Sequence, residues 1–563
     1  MSIDIETYRL KAQEAIEYVF VKEYHNSLGI PMPIVKMLLP DDANYSTGQY
    51  YITIDKTWQI HLNFGKLPIS YHEFQNEVKV LTRHEIEHYM CCPFDVITHF
   101  RMLKRIRDVY YKHFSHLGIN IEYACGAISN QAADIIVDTK NYYRHSKETL
   151  KSEIDWIKIG ANISACPRHC KLMFLTKEAI WKEDLGINET DPEFLKIVHQ
   201  LADSFTKNGI EDKSSFLDKV EEYAEIFFKL YVEDQKNPQQ SSQQGSQQQN
   251  GQQGSQQQSG QWGVGRPKDG DEHGNAFVFA DPDKVKEAIE VLAEETSVEE
   301  FIDLLAIAGI IGMSDKQKGV LWFNVQSANI IPIVEFSNTG NKSSYTYPSV
   351  WRIGDPIEEL DLMLTYMTSP RLIPGMTTKK WEYVSNDDNG TESKQMDLLL
   401  VVDTSGSMGS AMKESANMHQ AVLASYGILS YFESTKSKVA FIGFSDKIDA
   451  YVDWSDKYDD VRERLLTNGH GGTKFPISRI KSTLDVRSRD LVTVLITNGD
   501  LGNINESVSY FRDYLNDDNK LYIFLLGGSK SLHSYEPLKN IGAKIYNANN
   551  ANEFCDMVLT DME

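Results

Sequence analysis

The chain has 563 residues, too many for a single hydrophobic core, with the 41% hydrophobic and 24% charged content of ordinary globular protein. Its formal charge of −23 disfavours nucleic acid and anionic membrane as main partners and favours divalent cations and basic protein surfaces. Asp4 and Glu6 stand where a secretory peptide is basic and then apolar, no uncharged run is long enough to span a membrane, and six cysteines do not make a disulfide framework, so a reduced, cytoplasmic protein is expected.

Residues 1–237 read as mostly helical. Thr7 to Tyr24 and Ser215 to Tyr231 space their apolar residues by three and four. A strand pair is expected where Tyr50–Ile54 and Trp58–Leu62 flank a short turn. The segment His84-Glu85-Ile86-Glu87-His88 follows. On a helix, positions i and i+4 stand one above the other, so both imidazoles can bind one Zn²⁺ while Glu85 faces the same cleft. A third ligand must come from elsewhere. His99 is the nearest histidine, but Phe94 stands where a compact three-histidine pattern would place its last ligand.

Asn130-Gln131-Ala132-Ala133-Asp134-Ile135-Ile136-Val137-Asp138 offers a better source. Asp134 and Asp138 are one helical turn apart, so Asp134 can ligate zinc while Asp138 accepts the far N–H of a ligand histidine. Glu85 is then the general base, taking a proton from water and passing it to a leaving amine. Tyr142, Tyr143 and His145 are candidates for a transition-state donor, and spacing does not choose among them. The competing reading is a charged helix whose two histidines merely face solvent. Cys91-Cys92 and Cys166-Pro167-Arg168-His169-Cys170 match no standard zinc spacing and read as small buried thiols.

Residues 238–261 are Gln, Ser and Gly apart from Pro238 and Asn250, so 238–270 is expected to be a flexible linker. As a Gly/Ser-like coil of about 24 residues, the stretch would hold its ends roughly 25–30 Å apart. A mixed connecting region, 271–394, comes next, helical over 280–312. From Met396 apolar strands alternate with helices: Asp397–Val402, Lys438–Phe444, Leu491–Thr497, Leu521–Leu526 and Lys544–Asn547. That alternation predicts a doubly wound parallel sheet with helices on both faces. Asp403-Thr404-Ser405-Gly406-Ser407-Met408 follows the first strand, at the carboxyl end where open α/β sheets bind ligands. A carboxylate and two hydroxyls on alternate residues suit a hard cation such as Mg²⁺, and Gly406 permits the turn. A Ser-rich turn capping a helix is the alternative. No Gly-x-x-x-x-Gly-Lys-Ser/Thr is present, so ATP hydrolysis through a P-loop is not expected.

The Asp403–Ser407 segment resembles the metal-ion-dependent adhesion site (MIDAS) of von Willebrand factor A (VWA) domains, over roughly residues 395–563. The resemblance implies Asp403, Ser405 and Ser407 as ligands of Mg²⁺ (or Mn²⁺ or Ca²⁺), joined by Thr473 of Gly471-Gly472-Thr473-Lys474-Phe475. The pattern's distant Asp normally lies in a Thr-Asp-Gly. Here Thr497-Asn498-Gly499-Asp500 puts Asn498 in that place, with Asp500 as the substitute. Such a site docks a partner's carboxylate rather than catalysing a reaction. The first half is similar to bacterial and archaeal metallopeptidases in which a His-Glu-x-x-His helix and an Asn-x-Ala-x-Asp helix precede a VWA-like domain. That likeness implies a zincin-like peptidase over 1–237, with zinc on His84, His88 and Asp134 and catalysis by Glu85. It also implies a MoxR-type AAA+ ATPase as partner. Asp138 stands where that pattern tends to show Asn. The alternative from a different class is a non-catalytic VWA adaptor for such an ATPase, with a structural or vestigial zinc site.

Overall fold

The computed structural model describes residues 5–38, 50–54, 59–64, 70–159, 163–236, 282–310, 313–330, 345–351, 379–383, 396–487, 490–499, 501–517, 519–527 and 532–548. They divide into two compact units, Met1–Ser314 and Asp315–Glu563. The first is mainly helical; the second is built on a sheet.

In the first unit, α1 (Ile5–Glu17) continues as a π-helical turn over Tyr18–Glu23 and packs on α2 (Tyr71–Met90). Between them in sequence lie β1 (Ile34–Met37), β2 (Tyr50–Ile54) and β3 (Gln59–Phe64), a sheet of order β1-β3-β2. The expected strand pair forms, β2 running antiparallel to β3 with Ile52 opposite Leu62. Ala12, Ile16, Ile60, Leu62, Phe74 and Val78 form the small core between this sheet and the two helices. α2 starts on a capping box, in which the Ser70 hydroxyl accepts from Glu73 N–H and the Glu73 carboxylate accepts from Ser70 N–H.

Next come α3 (Val96–Val109), α4 (Ile121–Ile159), α5 (Arg168–Trp181), α6 (Pro192–Thr206) and α7 (Phe216–Lys236). α4 is not one rod. His145 has φ −135° and ψ 48°, outside the helical range. Asp138 and Glu153 both bond the single Nζ of Lys177, at 2.5 and 2.9 Å. In a straight helix their Cα atoms would be about 22 Å apart. The chain therefore folds back at His145, and its returning arm packs along α5, with Trp156 stacked on Phe174.

The Gln/Ser/Gly stretch expected as a linker lies outside the described residues. The helices on its two sides, α7 and α8 (Pro282–Glu294), both belong to the first unit and both pack on α3. Ion pairs from α3 reinforce the return: Arg101 Nε donates to Glu295 at 3.1 Å, and Arg107 Nη2 to Asp303 of α9 (Val298–Ile307) at 2.8 Å.

The second unit opens with α10 (Asp315–Ile330), which packs on α11 (Asn417–Ser434), and an antiparallel pair, β4 (Tyr345–Val350) and β5 (Lys379–Tyr383). Its main sheet comprises β6 (Asp397–Asp403), β7 (Val439–Phe444), β8 (Ile448–Ser455), β9 (Leu491–Thr497), β10 (Lys520–Leu526) and β11 (Lys544–Ala548), in the order β11-β10-β9-β6-β7-β8. The five anticipated strands are there and mutually parallel. The expectation of an all-parallel sheet needs one correction: β8 adds an antiparallel edge. It escaped notice because an edge strand is only half covered, so Ile448–Ser455 lacks the continuous apolar run of the buried strands. β7 and β9, by contrast, are buried at every residue. Helices α12 (Tyr458–Leu465), α13 (Ile477–Leu484), α14 (Val508–Asn516) and α15 (Leu532–Lys539) complete the unit.

The chain passes from β6 to β7 on one side and from β9 to β10 on the other, so the sheet's winding reverses between β6 and β9, and the loops leaving these strands lie at the carboxyl ends where open α/β sheets bind ligands.

Candidate metal centre

Helix periodicity puts His84 and His88 on one face of α2, and α4 brings Asp134 against it. The ligand-type atoms of the three residues converge. His84 Nε2 and His88 Nε2 are 3.1 Å apart, and Asp134 Oδ1 lies 3.4 Å from the first and 3.1 Å from the second. Ligands at zinc bond lengths of about 2.0–2.1 Å in a tetrahedron are separated by about 3.3 Å. The triangle has the size of one face of that tetrahedron.

Proton accounting shows which atoms are bare. His88 Nδ1 lies 2.9 Å from the carbonyl oxygen of Cys92, which can only accept, so that nitrogen carries the proton. His84 Nδ1 lies 2.6 Å from Asp138 Oδ1, and the other Asp138 oxygen accepts from Lys177. In the neutral rings both Nε2 atoms then present lone pairs, facing a carboxylate oxygen in a buried site. Three acceptors with no donor among them call for a cation. Without a metal, a proton serves. Burial alone would favour neutral His88, but the hydrogen bond and charge of Asp134, with Glu85 adding to them, push the ring up to about 9. Burial would likewise raise the Asp134 carboxyl, yet the His88 bond and the nearby imidazoles hold it below its ordinary value. Asn130, four residues earlier on α4, donates to Asp134 Oδ2 at 3.2 Å and steadies the carboxylate.

Glu85 is buried on the same helix, and its charge acts on His88. The candidate transition-state donors fare differently. Tyr142 donates its hydroxyl to Glu183 at 2.9 Å and stacks on Trp181; Tyr143 is exposed; His145 occupies the fold-back of α4, 3.9 Å from Glu23. His99 is buried on α3 outside the converging trio. Among the described residues no disulfide forms, and Cys91, Cys92 and Cys170 are buried.

In the second unit, the loop after β6 meets the loop after β9. Ser405 Oγ and Ser407 Oγ are 3.1 Å apart, and Ser407 Oγ donates to Asn498 Oδ1 at 3.1 Å. Asn498 Nδ2 in turn donates to the Ser407 carbonyl at 2.8 Å. Oxygens around octahedral Mg²⁺ are separated by about 2.9 Å. Asp403 is fully buried beneath them, accepting from Ser405 N–H at 2.9 Å and from the Thr497 hydroxyl at 2.6 Å. Gly406 N–H donates to the Gly471 carbonyl at 3.4 Å, which brings the loop carrying half-buried Thr473 alongside. Gly469 on that loop admits no side chain: a Cβ there would lie 2.3 Å from Asp449 Oδ2 and 2.6 Å from the Thr404 carbonyl. Asp500 lies outside the described residues.

No protein-family model matches the chain, and no curated protein is similar to it. Among solved structures it is similar to the conserved hypothetical protein BatB from Bacteroides thetaiotaomicron, 12% identical over 30% of this chain and 97% of that one, with a TM-score of 0.26. That likeness is too slight to argue from.

Several contacts at the two candidate sites were invisible in the sequence. Thr497 anchors Asp403, Asp449 accepts from the Thr404 hydroxyl at 2.7 Å, and Lys177 reaches Asp138 from another helix. Only Asn130 left a trace, its four-residue spacing from Asp134. Among the described residues no helix is long and apolar enough to cross a membrane.

Proposed function

We propose that the first unit is a zinc-dependent peptidase and that the second is a VWA-type domain whose divalent-cation site docks a protein partner, a MoxR-type AAA+ ATPase being the partner class the reading names. The observation that carries the first part is the convergence of His84 Nε2, His88 Nε2 and Asp134 Oδ1, 3.1 to 3.4 Å apart. Among the described residues three ligands converge, a donor set that fits zinc and a number that suits a catalytic centre, since structural zinc sites close with four. Bound there, zinc would supply Lewis acidity toward a peptide carbonyl. The protein's own part is to orient both imidazoles through Asp138 and the Cys92 carbonyl, and to hold at Glu85 the proton that passes from water to the leaving amine.

For the second unit, support comes from the spacing of Ser405, Ser407 and Asn498 oxygens beside a buried Asp403, at the carboxyl ends of the strands where the sheet's winding reverses. Asn498 contributes a neutral oxygen where a carboxylate would bind a hard cation more strongly.

Metal content by mass spectrometry, paired with peptide-hydrolysis assays, tests the reading on the full chain. One zinc per chain is expected in wild type and in Glu85→Gln, with hydrolysis abolished in the latter; His88→Ala and Asp134→Ala should lose the metal. Full zinc occupancy in His88→Ala would refute the ligand assignment. A silent Glu85→Gln beside an inactive Asp403→Ala would favour the adaptor instead. Mg²⁺ titration completes the test: Asn498→Asp should tighten binding, unless Asp500 already supplies the charge and Asp500→Asn is the damaging change.

A further inference from the structure

The buried Lys177 of α5 belongs to no sequence motif and touches no ligand of the trio, yet its ammonium ends a chain of contacts that begins at the site. His84 Nδ1–H donates to Asp138 Oδ1 at 2.6 Å; Asp138 Oδ2 accepts from Lys177 Nζ at 2.5 Å; Lys177 Nζ also donates to Glu153 Oε1 at 2.9 Å. Lys177 is 2% exposed, and Asp138 is buried as well. Burial by itself would favour the neutral amine, but Asp138 and Glu153 on either side hold the ammonium charged.

We propose that Lys177 is a positioning residue for the zinc centre: by bridging Asp138 and Glu153 it keeps the Asp138 carboxylate aimed at His84, so that His84 presents its Nε2 lone pair to the metal. This rests on the zinc reading of the trio. The reason is electrostatic. α4 folds back at His145, bringing Asp138 and Glu153 onto one nitrogen, so their carboxylates lie within about 6 Å of each other in a buried setting. With no cation between them they repel, and that repulsion drives the Asp138 carboxylate away from the position in which it meets His84. A neutral side chain at 177 therefore releases the histidine although every metal ligand is intact. Lys177 also ties the returning arm of α4 to the site, which explains why a full positive charge is tolerated so deep in the unit.

Zinc affinity of the full chain, measured by competition with a chromophoric chelator, is the test. Lys177→Met keeps the stem and removes the charge, and zinc should bind about 10–100-fold more weakly, the usual loss when a contact orienting a ligand is removed. Asp138→Asn should lose a similar factor. In the double variant the two losses should not multiply, because both act through one bond to His84. Co²⁺ substituted for zinc should show an altered d–d absorption spectrum in Lys177→Met, reporting a displaced ligand. If Lys177→Met does not fold, Lys177→Gln keeps a hydrogen-bond donor in the pocket without the charge and should still weaken zinc several-fold. Zinc affinity within twofold of wild type in whichever of these variants folds, or losses that multiply as independent effects, would overturn the proposal, even with a lowered melting temperature. Should wild type itself bind no zinc, the reading of the trio fails first and this inference with it.

Discussion

Two glutamates sit two residues apart on α2. On the reading proposed above Glu85 is the general base, whereas Glu87 is a buried anchor, its side chain wholly inaccessible. Glu87 pairs with Lys140 at 2.7 Å and Arg144 at 3.0 Å, and accepts from the Tyr24 hydroxyl at 3.0 Å. Glu87→Gln keeps the volume and removes the charge. Arg144 is 48% exposed, so its share is worth under about 1 kcal/mol. Lys140 is only 8% exposed, and stranding one member of a buried pair costs about 3–5 kcal/mol. Glu211, 3.2 Å from Lys140 but half exposed, offsets part of this, which points to the lower end, about 3 kcal/mol. For the unit Met1–Ser314 the melting temperature should fall by about 4–6 °C. Calorimetry in excess zinc, beside Glu85→Gln, is the assay, since saturating metal keeps linkage to zinc equal in both. The expected pattern is a destabilised Glu87→Gln that keeps its zinc and a Glu85→Gln that melts like wild type. A loss below about 1 kcal/mol in Glu87→Gln, or equal losses in both, would refute the division of roles.

Asp234 at the end of α7 accepts from the His169 backbone N–H at 3.2 Å, His169 Nδ1 at 2.8 Å and Arg168 Nε at 2.9 Å. Burial would raise its carboxyl, but His169 and Arg168 hold it below its ordinary value, so its stabilisation is complete above about pH 4 and is lost as pH falls through the lowered folded value. Asp234→Asn should cost about 2 kcal/mol at pH 7, with the gap to wild type closing in acid; a gap unchanged at pH 3 would contradict this. Deleting residues 239–261 roughly halves the segment between α7 and α8, whose ends already pack on α3, so the first unit should gain about 0.6 kcal/mol. Loss of either unit's unfolding transition on deletion would show that the segment has a structural part.

Everything legible beforehand rested on short-range periodicity. The i, i+4 spacing of His84 with His88 and of Asp134 with Asp138 follows from helix geometry, so residues of the right type at that interval share a face whatever surrounds them. The buried strands β6, β7, β9 and β10 announced themselves because a strand covered on both faces must be apolar throughout. Asp403 with its two serines was legible for a similar reason, being local to one turn at a strand's end. The fold-back of α4 was not, since residues 140–150 contain neither Gly nor Pro to mark a break. Nor were the duties of Glu87 and Lys177. Any carboxylate and any amine look alike in a sequence, and which of them meet was decided only when α2, α4 and α5 packed together. Excluding water then turned those particular contacts from interchangeable surface charges into ones the unit cannot release without leaving a charge uncompensated.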